Sequence, residues 1–145
     1  LQAVRDALAR GDSVPAFAQG LGGDRGISGY AFHTAPAALF AWLRYGADYR
    51  RAVEETIAAG GDTDTAGAIV GALCGLAGGE DGIPHDWQSD VRDFPRGLAY
   101  GRRLAVALAQ GSRGAVSWFW PAQLPRNLLF LAVVLAHGFR RLWPV

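Results

Sequence analysis

The 145-residue chain has no methionine, no lysine and a single cysteine, Cys74. One cysteine excludes a disulfide within the chain, so a reducing, cytoplasmic setting is expected. All 14 cationic side chains are arginine, a bias that fits high-GC coding and says little about mechanism. They face 13 acids, leaving a formal net charge of +1. That balance gives no basic field for nucleic acid and no acidic field for cations in bulk. No signal-like pattern opens the chain. With no methionine, and with Leu1 leading straight into a helical pattern, the chain reads as a piece whose N-terminal part is missing. No segment alternates at period two, which argues against strands. Long apolar runs are missing too. Leu128–Ala136 is nine residues, against the ~20 needed to cross a bilayer, and Ala66–Gly78 is also short. Both are expected to be buried core helices, with no membrane partner.

What is present is one domain's worth of a folded protein, half hydrophobic and 19% charged. The periodicity predicts an all-α fold of roughly seven helices. Leu1, Val4 and Leu8 recur at helical spacing and Gly11 can stop that helix. Asp12–Gly29 is rich in breakers and reads as a long loop; its glycines match no phosphate-loop spacing. Thr34 offers an N-cap with Pro36 in the first turn, and the helix runs to about Tyr45. Asp48 caps an amphipathic helix that closes at Gly60. Further helices are expected from about Asp64 to Ala77, near Pro84, from Phe94 to Ala109 and from Pro125 to Arg141.

Chemistry concentrates in Gly60-Gly61-Asp62-Thr63-Asp64-Thr65. Residues i and i+2 diverge on a regular helix, so Asp62 and Asp64 converge only if the backbone there is still turning. Gly60 and Gly61 permit that turn. Capping alone is the plain reading, because Asp and Thr are favoured N-caps. It needs one such residue, however, and not two carboxylates with two hydroxyls. Carboxylate and hydroxyl oxygens together suit a hard cation such as Mg²⁺ or Mn²⁺, and the sequence Ala66-Gly67 that follows rules out a calcium-loop pattern. Gly67, Gly71 and Gly75 lie four apart, and this stripe is expected to admit a neighbouring helix at close range. His33, His85 and His137 show no ligand spacing and read as surface or capping residues. Trp118, Trp120, Pro121 and Pro125 read as a packing cluster, and Cys74 as an inert buried thiol.

The stretch GGDTDTAGAIVGALCGLAGG, followed by Gly82-Ile83-Pro84 and Trp87, resembles the C-terminal metal motif of the ADP-ribosylglycohydrolase family, which includes the dinitrogenase reductase-activating glycohydrolases. Upstream, Ser28-Gly29-Tyr30, Thr34 and Pro36-Ala37-Ala38-Leu39 extend the resemblance, so that it covers about residues 26–87. It implies an all-α multi-helix fold around two Mg²⁺ or Mn²⁺ ions, with Asp62, Asp64 and Thr65 as ligands and the two aspartates central to catalysis. It implies Tyr30 as a substrate contact, with the Gly60-Gly61 turn alongside. The implied substrate is an ADP-ribosylated protein or a small ADP-ribose conjugate, hydrolysed at its glycosidic bond. The family's upstream Thr-Asp-Asp ligands and phosphate-binding glycine loops have no counterpart here. The chain is therefore expected to be the C-terminal portion of one such domain. The alternative is a non-catalytic relative that serves as a structural or ADP-ribose-binding module.

Overall fold

The computed structural model describes residues 1–22 and 26–142. Among these are eight α-helices and no named strand, so the all-α expectation holds. They are α1 (Gln2–Arg10), α2 (Val14–Gly20), α3 (Ala31–Tyr45), α4 (Tyr49–Ala58), α5 (Thr63–Gly78), α6 (His85–Asp90), α7 (Leu98–Ala109) and α8 (Gln123–Leu142). The chain divides into two compact units, Leu1–His85 and Asp86–Val145.

In the first unit α3, α4 and α5 pack on one another, with α1 against α3 and α2 against both α3 and α4. Local chemistry fixes most of the boundaries. Gly11 ends α1 in the left-handed conformation, φ 75°. The Asp48 carboxylate accepts the Arg51 N–H at 3.0 Å and starts α4. The expected long loop from Asp12 is interrupted by α2, because Ser13 caps the Ala16 N–H and Pro15 sits in the first turn, where its missing N–H costs nothing. The remainder of that expected loop includes Gly23–Arg25, which lie outside the described residues.

The start of α3 also differs from expectation. Thr34 is not its cap; the helix begins at Ala31 because the Tyr30 carbonyl accepts the N–H groups of His33 and Thr34 at 2.8 and 3.0 Å. Thr34 is buried within the first turn and its hydroxyl donates to the Ser28 carbonyl at 2.6 Å. Pro36 therefore lies inside the helix.

Two clusters form the core of this unit. The larger gathers Val4, Ala7, Val14, Phe17, Phe40, Ala41, Ala52, Val70 and Cys74. Phe40, wholly buried, stacks on Phe17 with ring centroids 4.5 Å apart. The smaller is Ala18, Ile27, Ala37 and Ala66. Its alanines let α3 and α5 approach closely where the acidic segment begins. The glycine stripe does this only in part. A Cβ at Gly71 would meet the Tyr49 hydroxyl at 2.8 Å, whereas at Gly67 and Gly75 it would meet nothing within 4 Å. The outer face of α5 instead carries Ala68, Ile69, Ala72 and Leu76 in the open, Leu76 being 86% exposed.

The second unit is built differently. Ala122 is its single buried residue among those described. α7 starts at Leu98 rather than Phe94, after Pro95 and with Gly97 in extended backbone at the N-cap. Arg126 reaches Asp93 at 3.3 Å, and the Arg96 guanidinium lies 4.7 Å from the Trp118 ring centre. Trp120 is exposed, so the expected packing cluster is realised at Trp118 and not at Trp120. The expectation that Leu128–Ala136 is a buried core helix fails: every residue from Leu124 to Leu142 is exposed. Counted with the turn before it, the helical stretch Trp120–Leu142 has 23 residues, long and apolar enough by length and composition to cross a membrane. The nine-residue run understated it, because Phe119-Trp120 and Leu124 on one side and Phe139 and Leu142 on the other continue the apolar character past isolated polar residues.

Candidate metal centre

Two separate turns meet to form the candidate site. Ile27 pairs with Gly61 in an isolated parallel bridge. Its N–H donates to the Gly60 carbonyl at 2.9 Å, and its carbonyl accepts the Asp62 N–H at 2.6 Å. The bridge requires glycine on both sides. Gly26 and Gly61 have φ 95° and 80°, and a Cβ on either would strike backbone of the opposite turn. The Gly60-Gly61 turn expected from the sequence is thus present. The engagements it shows are backbone ones: Gly60 accepts from Ile27, and Gly61 accepts from the Thr63 N–H at 2.9 Å.

The bridge delivers Asp62 to the start of α5. Asp62 occupies the N-cap position, yet its side chain makes no capping hydrogen bond. Plain capping therefore does not account for this residue. Its Oδ2 instead faces Gly29, where an added Cβ would come within 3.0 Å. Asp64 lies in the first turn of α5 and is exposed, as is Thr65. The Asp64 carboxyl is held below the usual carboxylate range, chiefly by a hydrogen bond shared with the Asp62 carboxyl, then by the N–H of Thr65 and its own. The two aspartates that the sequence could only place two apart are therefore brought together. Two carboxyls this close need a cation between them when both are ionised. A hard divalent ion fits such a donor set. Thr65, next along the helix, adds an exposed hydroxyl. Among the described residues no group of three or more His, Cys, Asp or Glu gathers at metal-binding spacing.

Across from Asp62 stands the turn Ser28-Gly29-Tyr30. Tyr30 is the N-cap residue of α3 and is 60% exposed, with its ring 5.3 Å from Phe32 and edge-on to His33 at 5.6 Å. His33, expected to be a surface or capping residue, is tied to this turn: its Nδ1 lies 2.9 Å from the Ser28 hydroxyl. Sequence reasoning missed the pair because five positions separate the two residues across a loop-to-helix junction, where neither helical nor strand periodicity applies.

The first unit is thus an all-α scaffold in which two glycine-hinged turns set Asp62 and Asp64 at the start of α5. A sequence model of the ADP-ribosylglycohydrolase family matches residues 1–116, and the chain belongs to that family. The match takes in the whole first unit together with all of α6 and α7, and α8 lies outside it. No curated relative and no solved structure matches the chain.

Proposed function

We propose that this chain carries the acidic part of a divalent-metal site in an enzyme that removes ADP-ribose from a modified protein side chain or small conjugate. The observation that supports this most directly is Asp62, an N-cap residue whose carboxylate is left out of capping and meets Asp64. Asp62, Asp64 and Thr65 would hold Mg²⁺ or Mn²⁺. Such an ion takes about six oxygen ligands, so water and residues beyond this cluster complete the shell, and a full site of two ions needs a further set of donors.

The reaction is hydrolysis of the bond between the anomeric carbon of the ribose and the side-chain nitrogen or oxygen. Water adds to that carbon, and the side chain leaves with a proton. When bound, the metal supplies positive charge that orients the ribose hydroxyls. The chain's own residues do the remainder. Asp62 and Asp64 offer carboxylate oxygens that accept hydrogen bonds from the attacking water. The exposed Tyr30 ring gives the sugar or leaving group an apolar wall, and the Gly60-Gly61 turn lets substrate approach the backbone.

A second reading, a non-catalytic ADP-ribose-binding or structural module, is favoured by the lack of a third acidic ligand among the described residues. Titration with Mn²⁺, followed by an assay of ADP-ribose release from ADP-ribosylated arginine and serine peptides, separates the two. Release that is abolished by Asp64→Ala supports the enzyme. Undiminished release in that variant would refute the role given to Asp64, and metal binding without any release would favour the module.

A further inference from the structure

Ser28 lies between the two contacts that locate Asp62. One residue before it, the Ile27 carbonyl accepts the Asp62 N–H at 2.6 Å; one residue after it, Gly29 faces Asp62 Oδ2. The Ser28 hydroxyl sits 2.9 Å from His33 Nδ1 and accepts the Tyr30 N–H at 3.4 Å. A hydroxyl has one proton to give and two lone pairs to offer. With Nε2 carrying the imidazole proton, Nδ1 accepts a hydrogen bond from the Ser28 hydroxyl, whose oxygen remains free to accept from Tyr30. The same imidazole meets the Tyr30 ring edge-on, with the planes at 81°. One side chain therefore holds this turn at two points, the Ser28 hydroxyl and the Tyr30 ring.

Helix formation does not require these contacts. The Tyr30 carbonyl and the Thr34 hydroxyl already secure the first turn of α3 through backbone partners. What the His33 contacts add is the orientation of Ser28-Gly29-Tyr30 towards the acidic segment. We propose that His33 is a positioning residue: acting through Ser28, it sets the turn against which the Asp62 carboxylate rests and from which the Tyr30 ring projects. The inference rests on the reading of Asp62 as a metal ligand and Tyr30 as a substrate contact. His33 itself touches neither ion nor substrate.

The test uses amide hydrogen exchange of the full chain. His33→Phe keeps a flat ring beside Tyr30 and removes Nδ1, whereas His33→Asn retains a side-chain acceptor close to that position. In His33→Phe the amides of Ile27, Tyr30 and Asp62 are expected to exchange about tenfold faster, the scale of one lost hydrogen bond, while those of Ala52 and Val70 stay unchanged. His33→Asn is expected to restore protection. Unchanged exchange at Ile27 and Asp62 in His33→Phe would overturn the proposal. So would an equal rise at Ala52 and Val70, which would mark His33 as ordinary packing. Should His33→Phe fail to fold, Ser28→Ala removes the same bond and is read in the same way. A parallel Mn²⁺ titration of the unmodified chain reports on the ligand reading separately. Absence of binding there removes the metal role of Asp62, while the exchange data still decide whether His33 holds the turn.

Discussion

Replacing Gly61 by alanine tests the bridge on which the candidate site depends. At φ 80° a side chain costs ~1–2 kcal/mol in backbone strain. The new Cβ would also strike the Ile27 carbonyl oxygen and lie 2.7 Å from its nitrogen and 2.8 Å from its carbonyl carbon. These are backbone atoms, so no rotamer change relieves the clash, and overpacking of this kind adds ~1–3 kcal/mol. The chain has one way out, which is to open the bridge. That sacrifices the Ile27–Gly60 and Asp62–Ile27 hydrogen bonds at ~1 kcal/mol each. It also exposes Ile27, buried to 2%, at ~2 kcal/mol. Keeping the bridge thus costs about 2–5 kcal/mol and opening it about 4 kcal/mol. Gly67→Ala and Gly75→Ala supply the contrast: both lie within α5, nothing stands within 4 Å of the added methyl, and each should gain ~0.5–1 kcal/mol. Urea unfolding followed by far-UV circular dichroism measures all three. A Gly61→Ala chain within ~1 kcal/mol of the parent would refute the close approach of the two turns.

Three other outcomes are expected. Phe40→Ala removes the fully buried ring stacked on Phe17 and should cost ~3–5 kcal/mol in the same urea experiment. Asp48→Ala deletes the α4 cap and should cost ~1 kcal/mol, with Asp48→Asn recovering most of it. Burial pushes the Cys74 thiol up, and burial followed by the charge of Cys74 pushes up the Tyr49 phenol. The folded chain thus holds these protons more tightly than the unfolded one. Their stabilisation is complete below the ordinary thiol value of ~8.5 and is lost as pH rises through the raised folded value. The urea midpoint should fall between neutral and alkaline pH, and Cys74→Ala should flatten that slope; an equal slope in the variant would count against it.

How much could be read in advance differs by element. The starts and stops of α1, α4 and α5 were visible because they rest on neighbouring residues: Gly11, the Asp48 cap and the Gly60-Gly61 hinge. α2 was hidden because Ser13 and Pro15 look like breakers and are in fact a cap and a first-turn proline. Asp62, Asp64 and Thr65 stood out by residue type. Their convergence depends on Ile27, 35 positions before Asp62, and no local pattern reports such a pairing. The fours-spaced glycines of α5 show the opposite limit. Spacing revealed that they share a side of the helix but not which neighbour stands there, and only Gly71 meets one. The exposure of α8 was misjudged for the same reason, since apolar composition measures an appetite for burial and does not identify what provides it.

The Ile27–Gly61 bridge places the start of α3 and the start of α5 at one end of the first unit. α3 then runs 15 residues away from it, about 22 Å at helical rise, before the chain reverses at Gly46–Asp48. Ala47, exposed in that reversal, is thus the natural attachment point for a fluorophore or an inserted peptide tag. Gly46 is unsuitable, because a Cβ there would press on the Trp42 carbonyl. A label at Ala47 would report on binding at the acidic turn from a fixed distance, with α3 as the ruler and without a new group near either aspartate.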